Sequence, residues 1–188
     1  RQEDLNMNRK KQLYQQEVVP ALMEKYGKKN PFAVAKLAKI TINVGVGNET
    51  NRQQAADAVV AQLAEITGQH PHITPARLSI ASFKIRQGDP VGVAVTLRGD
   101  RMWDFFDKLV SIALPQLKDF SGVSRTAFDQ AGNYSLGLTE QIIFPEIVYD
   151  EIDRVRGLQM VMTIRNSDSR EESFDLLEKL GMPFRKEE

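Results

Sequence analysis

Hydrophobic and polar residues alternate with a period of two in three stretches of the chain. Ile40, Ile42, Val44 and Val46 alternate with Thr41, Asn43 and Gly45. Val91, Val93, Val95 and Leu97 alternate with Gly92, Ala94, Thr96 and Arg98, and Leu158, Met160, Met162 and Ile164 with Gln159, Val161 and Thr163. Successive side chains of a strand point to opposite faces, so each stretch predicts a half-buried strand. Ile73 to Ile85 is β-branched and aromatic in part, and the turn-forming run Gln87-Gly88-Asp89-Pro90 separates it from Val91. The two ends of 73–99 are therefore expected to pair as a ribbon. Short strand-like pieces follow between Tyr134 and Phe144, and Pro145 ends them.

Helical spacing appears in four places. Leu13, Tyr14, Val18, Ala21 and Leu22 share one face of an opening helix that stops at Gly27, with Pro20 expected to kink or divide it. Asn48 to Asn51 is turn-like and caps a helix carrying Ala56, Val59, Val60, Leu63 and Ile66, which Gly68 ends. Asp100 is the expected N-cap of a helix whose core face is Met102, Phe105, Phe106, Leu109, Ile112 and Ala113, with Pro115 at its end. The box Ser169-x-x-Glu172 starts a last helix with Phe174, Leu177 and Leu180 inside, closed by Gly181 and Pro183. Between the last two helices lies 118–135, a long loop rich in aromatic residues, as expected of a functional loop or one packed over a neighbour. Strands and helices mixed in this order, without an internal repeat, predict an α+β fold in one domain over 1–188: a helical segment to residue 38, then a sheet-and-helix core with a protruding loop at 74–90.

Composition adds exclusions. There are no cysteines, so disulfides, thiolate metal sites and cysteine nucleophiles are out together. No apolar run of about 18 residues and no charged-then-apolar leader is visible, so neither a membrane span nor a signal peptide is expected. The formal net charge is zero, but residues 1–99 hold 14 basic and 8 acidic side chains and residues 100–188 the reverse imbalance. Such polarity permits one basic and one acidic surface. Between Ile66 and Gly99 the only acid is Asp89, against Arg77, Lys84, Arg86 and Arg98. This hydroxyl-rich ribbon with Phe83 at its tip suits phosphate.

The second faces of the three strands carry Thr41, Asn43 and Gly45; Gly92, Ala94 and Thr96; and Gln159, Val161 and Thr163. A face shown only to water normally carries Lys, Glu or Arg. Small, neutral, hydrogen-bonding positions instead suit close approach by a partner: a second helix layer, another subunit, or RNA read by shape and hydroxyls.

Catalytic chemistry is thin. Gly45-Val46-Gly47 followed by a helix is the start of a dinucleotide fingerprint and raises a nucleotide-binding enzyme as the alternative reading. Thr50 stands where the last small residue belongs, however, and no acid closes the next strand. His70 and His72 flank Pro71 without a carboxylate beside them, and no nucleophile, base and orienter assemble. No cofactor and no metal is expected.

The strings KITINVGVG, ITGQ, SIASFKIRQG, VAVTLRGDRMWDF, IALPQLKDFSGV, FDQAGNYSLGL, EQIIFPEI, DRVRGL and LGMPF occur in an order and at spacings that resemble large-subunit ribosomal protein five of the bacterial and organellar type, from about Met7 to Lys186. The resemblance implies a non-catalytic protein of the large ribosomal subunit, in a bacterial cytoplasm or an organelle. It would bind 5S rRNA among the large-subunit rRNA, on the open face of an antiparallel sheet with helices on the other. It places 5S contacts on Asn43, Gln69 and Thr96. It sends the loop bearing Arg77, Ser79, Ser82, Phe83, Lys84 and Arg86 to the elbow of the P-site tRNA, and assigns 118–132 to a bridge with a small-subunit head protein. Pro75 and Leu78 stand where basic residues are common in the family, Ser82 where glycine is frequent, Ser121 where arginine is usual, and Gln130-Ala131 where a glycine and often an arginine occur. Fewer cations should flatten the salt dependence of RNA binding.

Overall fold

The computed structural model describes residues 8–118, 120–149 and 152–185. Its strands are β1 (Lys36–Gly45), β2 (His72–Pro75), β3 (Pro90–Leu97), β4 (Tyr134–Leu138) and β5 (Leu158–Arg165). They form one antiparallel sheet in the order β2-β3-β1-β5-β4. The helices are α1 (Arg9–Leu13), α2 (Val19–Tyr26), α3 (Arg52–Thr67), α4 (Gly99–Lys108) and α5 (Arg170–Lys179), so the fold is α+β as expected. The three alternating strands form with the expected faces inward: Ile40, Ile42, Val44, Val93, Val95, Leu97, Leu158, Met160, Met162 and Ile164 are buried. Two compact units arise, each discontinuous in sequence. One comprises the described residues to Ile40, Arg98–Leu136 and those from Val161 on; the other comprises Thr41–Leu97 and Gly137–Met160.

In the first unit proline shapes the helices. Pro20 has no N–H to give and its ring crowds the preceding turn, and the chain responds with a π-helical turn over Tyr14–Val18 in which Val19 N–H reaches back to Tyr14 O. Pro115 has the same effect over Leu109–Ala113, where Leu114 N–H reaches Leu109 O. That wider turn rotates the helix face and leaves Ile112 42% exposed, against the expectation that it joins the core; Trp103 is buried instead. Gly27 ends α2 in the left-handed conformation, φ 64°. The N-cap of α4 is Arg98 rather than Asp100, which lies two residues on, in the first turn, and pairs with Lys11 at 2.6 Å. Ser169 caps α5 as expected, its hydroxyl accepting from Glu172 N–H at 3.2 Å, but Phe174 is only half-buried. Phe128, Tyr134, Phe174 and Phe184 form one aromatic cluster with centroids 4.5–6.3 Å apart, so the long loop is packed down by its aromatic residues. Burial pushes the Tyr134 phenol up to about 12.

In the second unit α3 packs on the sheet. Val59, Leu63 and Ile66 share a small internal gap with Val44 and Leu158, and Gly68 ends the helix at φ 64°. Asn51 occupies its N-cap but makes no side-chain bond to the helix backbone. Among the described residues no helix is long and apolar enough to cross a membrane.

Candidate nucleic-acid interface

The β2–β3 ribbon is shorter than its sequence pattern suggests. His72 pairs with Ala94, Ile73 with Val93 and Thr74 with Gly92, and the register breaks at Pro75, which has no N–H for the ladder. Residues 76–89 then form a finger. Ala76 N–H donates to Asp89 O at 2.8 Å, Gly88 N–H to Ala76 O at 3.0 Å, and Ile80 and Ile85 bridge around a 3-10 turn, Ala81–Phe83. Lys84 sits in the left-handed region at φ 52°, the tight turn that brings Ile85 back onto Ile80.

Every proposed contact residue of this finger, Arg77, Ser79, Ser82, Phe83, Lys84 and Arg86, is exposed. Leu78 is 74% and Phe83 64% exposed, so the tip carries apolar groups among its cations. Arg52, at the start of α3, holds the finger from beside: its guanidinium donates to Gly47 O (2.9 Å), Lys84 O (3.0 Å), Phe83 O (3.2 Å) and the Asp89 carboxylate (3.3 Å). Sequence reading missed this role because Arg52 looks like any first-turn arginine. Three carbonyls have no sequence signature.

On the sheet, Gln69 and Thr96 come together, the Gln69 amide donating to Thr96 O at 3.1 Å. Asn43 lies on the same sheet face, beside Gly92 on the neighbouring strand. A carbon added at Gly92 would stand 3.0 Å from Thr74 Oγ1, 3.2 Å from Val44 O and 3.5 Å from Asn43 Oδ1. A side chain there would crowd Thr74 and the Val44 carbonyl, so glycine suits the close approach of these groups. The consequence departs from the expected open stripe: Gly92 and Ala94 are buried, while Asn43, Gly45 and Gln159 remain exposed and Thr41, Thr74 and Thr96 half-exposed. His72, paired opposite Ala94, adds an exposed imidazole to this face. The surface is thus amides, hydroxyls and one imidazole.

Beside it, Gly45 and Gly47 line a cleft with Glu49, Arg154 and Arg156, whose charges are paired with one another. Glu49 pairs with Arg154 (3.1 Å) and Arg156 (3.3 Å), and Asp153 chelates Arg156 through two 2.7 Å bonds. Those bonds hold the Asp153 carboxyl below the usual carboxylate range. The strand after α3 pairs antiparallel with β3 and not with β1, whereas a dinucleotide unit needs adjacent parallel strands. The nucleotide-enzyme alternative is corrected on that ground.

In the other unit, 118–132 is fastened through Asp129, whose carboxylate accepts from Ala131 N–H (2.9 Å), Asn133 N–H (2.8 Å) and the Asn133 amide (2.8 Å). These bonds, the Asn133 side chain's first, lower its pKa. Arg125 lies over the Phe174 ring at 4.6 Å. Asp119 lies outside the described residues. Among the described residues no His, Cys, Asp or Glu cluster is arranged to hold a metal.

An antiparallel sheet with helices, a polar uncharged face and a basic, apolar-tipped finger describe a protein built to lie against a macromolecule. Comparison with known proteins gives the family. Residues 30–86 match the model described as ribosomal protein L5, and residues 90–184 match the ribosomal L5P family C-terminus. Large ribosomal subunit protein uL5 of Roseiflexus castenholzii is 54% identical over 177 residues, 94% of this chain and 98% of that protein. Its counterpart from Thermoanaerobacter sp. strain X514 is 53% identical over 180 residues, 96% of this chain and all of that protein. The chain belongs to the ribosomal protein L5 family, whose members are structural proteins of the large ribosomal subunit and not enzymes.

Proposed function

We propose that the chain holds 5S rRNA in the large subunit through Asn43, Gln69 and Thr96, and reaches the elbow of the P-site tRNA with the finger at 76–89. The observation that carries the 5S assignment is the paired geometry of the sheet face: Gln69 is tied to Thr96 O, and Asn43 stands exposed beside Gly92. Neutral donors and acceptors on a rigid strand suit ribose hydroxyls and base edges, and no charge has to be desolvated when they meet. The finger supplies what the face lacks, with Arg77, Lys84 and Arg86 for phosphate and Phe83 for a base. Residues 118–132, fastened by Asp129, are the surface for a small-subunit head protein.

The division of labour is tested by two sets of variants. Asn43→Glu or Thr96→Glu, with the circular dichroism spectrum unchanged, should lower 5S rRNA affinity in a mobility-shift assay by at least about tenfold, since each buries an unpaired acid against RNA. Unchanged affinity refutes the assignment. Replacing Arg77, Lys84 and Arg86 together by glutamine should leave 5S affinity near its parent value and weaken P-site tRNA retention by assembled subunits. An equal loss of both would show that finger and face are not separate sites.

A further inference from the structure

Phe32 is 83% exposed, the most of any large apolar side chain among the described residues. A lone surface apolar residue ordinarily needs no explanation. Phe32 differs in how rigidly it is presented. It stands in the 3-10 turn Pro31–Ala33, where Pro31 restrains the backbone and the Asn30 side chain accepts from Phe32 N–H at 2.9 Å. The Asn166 amide donates to Phe32 O at 2.8 Å, and Lys28 Nζ donates to Ala33 O at 3.1 Å. Both backbone polar groups of Phe32 are thus satisfied within the protein, while its ring is held out in water.

The surroundings are basic. From Lys25 to Asn48 there are five lysines and no acid. Lys28 is consumed by Asp168 and Glu172. Lys29 and Lys36, three and four residues to either side of Phe32, are exposed and have no ion pair among the described residues. The same holds for Arg165, next to the Asn166 that grips the Phe32 carbonyl. An exposed aromatic ring accompanied by cations that have no ion pair among the described residues matches one strand of nucleic acid, which brings a base for the ring and phosphates for the cations in a single chain. A protein partner would have to bring an apolar pocket ringed by carboxylates.

We infer that Phe32 is a stacking platform for an unpaired base of large-subunit RNA, with Lys29, Lys36 and Arg165 facing the flanking phosphates. The inference rests on the RNA-binding function proposed above but uses none of the residues assigned there to 5S rRNA or tRNA.

The test uses the full chain carrying Phe32→Trp, which keeps a stacking ring and adds a fluorophore. The native Trp103 is 6% exposed, so acrylamide quenching reports the introduced indole. Protein-free RNA from large subunits is titrated in while a mobility shift follows complex formation. The indole should become shielded as the complex forms. Phe32→Ala should weaken binding on the order of tenfold and Phe32→Trp should not, as expected for one base stacked on an aromatic side chain. Lys29→Gln with Lys36→Gln should reduce the slope of log affinity against log salt by about 1–2. A complex in which the indole stays as open to acrylamide as in the free protein overturns the inference and leaves the RNA-binding function standing. Shielding that appears only when ribosomal proteins are added also overturns it, in favour of a protein partner. If no RNA shifts the protein at all, the function fails and the inference fails with it.

Discussion

Lys28→Met should destabilise the first unit more than its place near the surface suggests. The ammonium meets Glu172 at 2.6 Å and Asp168 at 3.1 Å, and also donates to Asn166 O (2.9 Å) and Ala33 O (3.1 Å). The Glu172 side chain is 1% exposed and that of Lys28 only 12%. Removing one partner of a buried pair costs about 3–5 kcal/mol, because the other charge is left without compensation. Glu172 retains Ala35 N–H at 3.3 Å and Asp168 N–H at 3.0 Å, which places the loss near the lower end, about 3 kcal/mol. In a chain of this length that lowers the melting temperature by roughly 6–12 °C. The pH dependence follows from the lysine. Burial acts to lower its pKa, but hydrogen bonds from the ammonium to Glu172 and Asp168 outweigh it, and the pKa stands above the ordinary value. A raised folded-state pKa gives a contribution that is complete below the unfolded value, about 10.4, and is lost as pH rises through the folded one. The stability gap between parent and variant should therefore be flat through neutral pH and close above about pH 10.4. Thermal unfolding followed by circular dichroism measures both effects. Lys28→Met with Glu172→Leu should recover roughly half the loss or more, since no buried charge then lacks a partner. A single variant that melts within about 2 °C of the parent would refute the reasoning.

Arg52→Met should leave the melting temperature nearly unchanged but free the finger. Amides of Ile80, Ile85 and Asp89 should exchange about 5–30-fold faster, the equivalent of losing one or two net hydrogen bonds, and unaltered protection would remove Arg52 from its clamping role. Gly122→Ala should cost about 2–4 kcal/mol in urea unfolding, because φ is 103° and the added carbon would stand 2.6 Å from Arg185 N and 2.8 Å from Phe184 C. Gly45→Ala is the control: the added carbon meets nothing within 4 Å, so stability should stay within about 1 kcal/mol of the parent.

The sheet was legible because its signal is local. Ile40, Ile42 and Val44 against Thr41, Asn43 and Gly45 state a strand, its buried side and its polar side within six residues, and the same pattern drew attention to Asn43 and Thr96 without any charge at either. Gly27 and Gly68 likewise marked helix ends by the one backbone conformation that glycine adopts freely. The finger was legible only as a basic, turn-rich stretch. Its form depends on Arg52 meeting the carbonyls of Phe83 and Lys84, 31 and 32 residues away, and carbonyls are the same in every residue. In the sequence Lys28 is one of three lysines, with Lys25 and Lys29, about the end of the first helix, and only its meeting with Glu172, 144 residues on, separates it from Lys29. What distinguishes these two neighbours is therefore occupancy. One lysine is spent on holding the unit together, the other is left exposed beside Phe32, and a charge count over 25–29 gives them equal weight. Net charge near zero says little about affinity for RNA in such a chain, because the cations available to phosphate are those that the fold has not already paired.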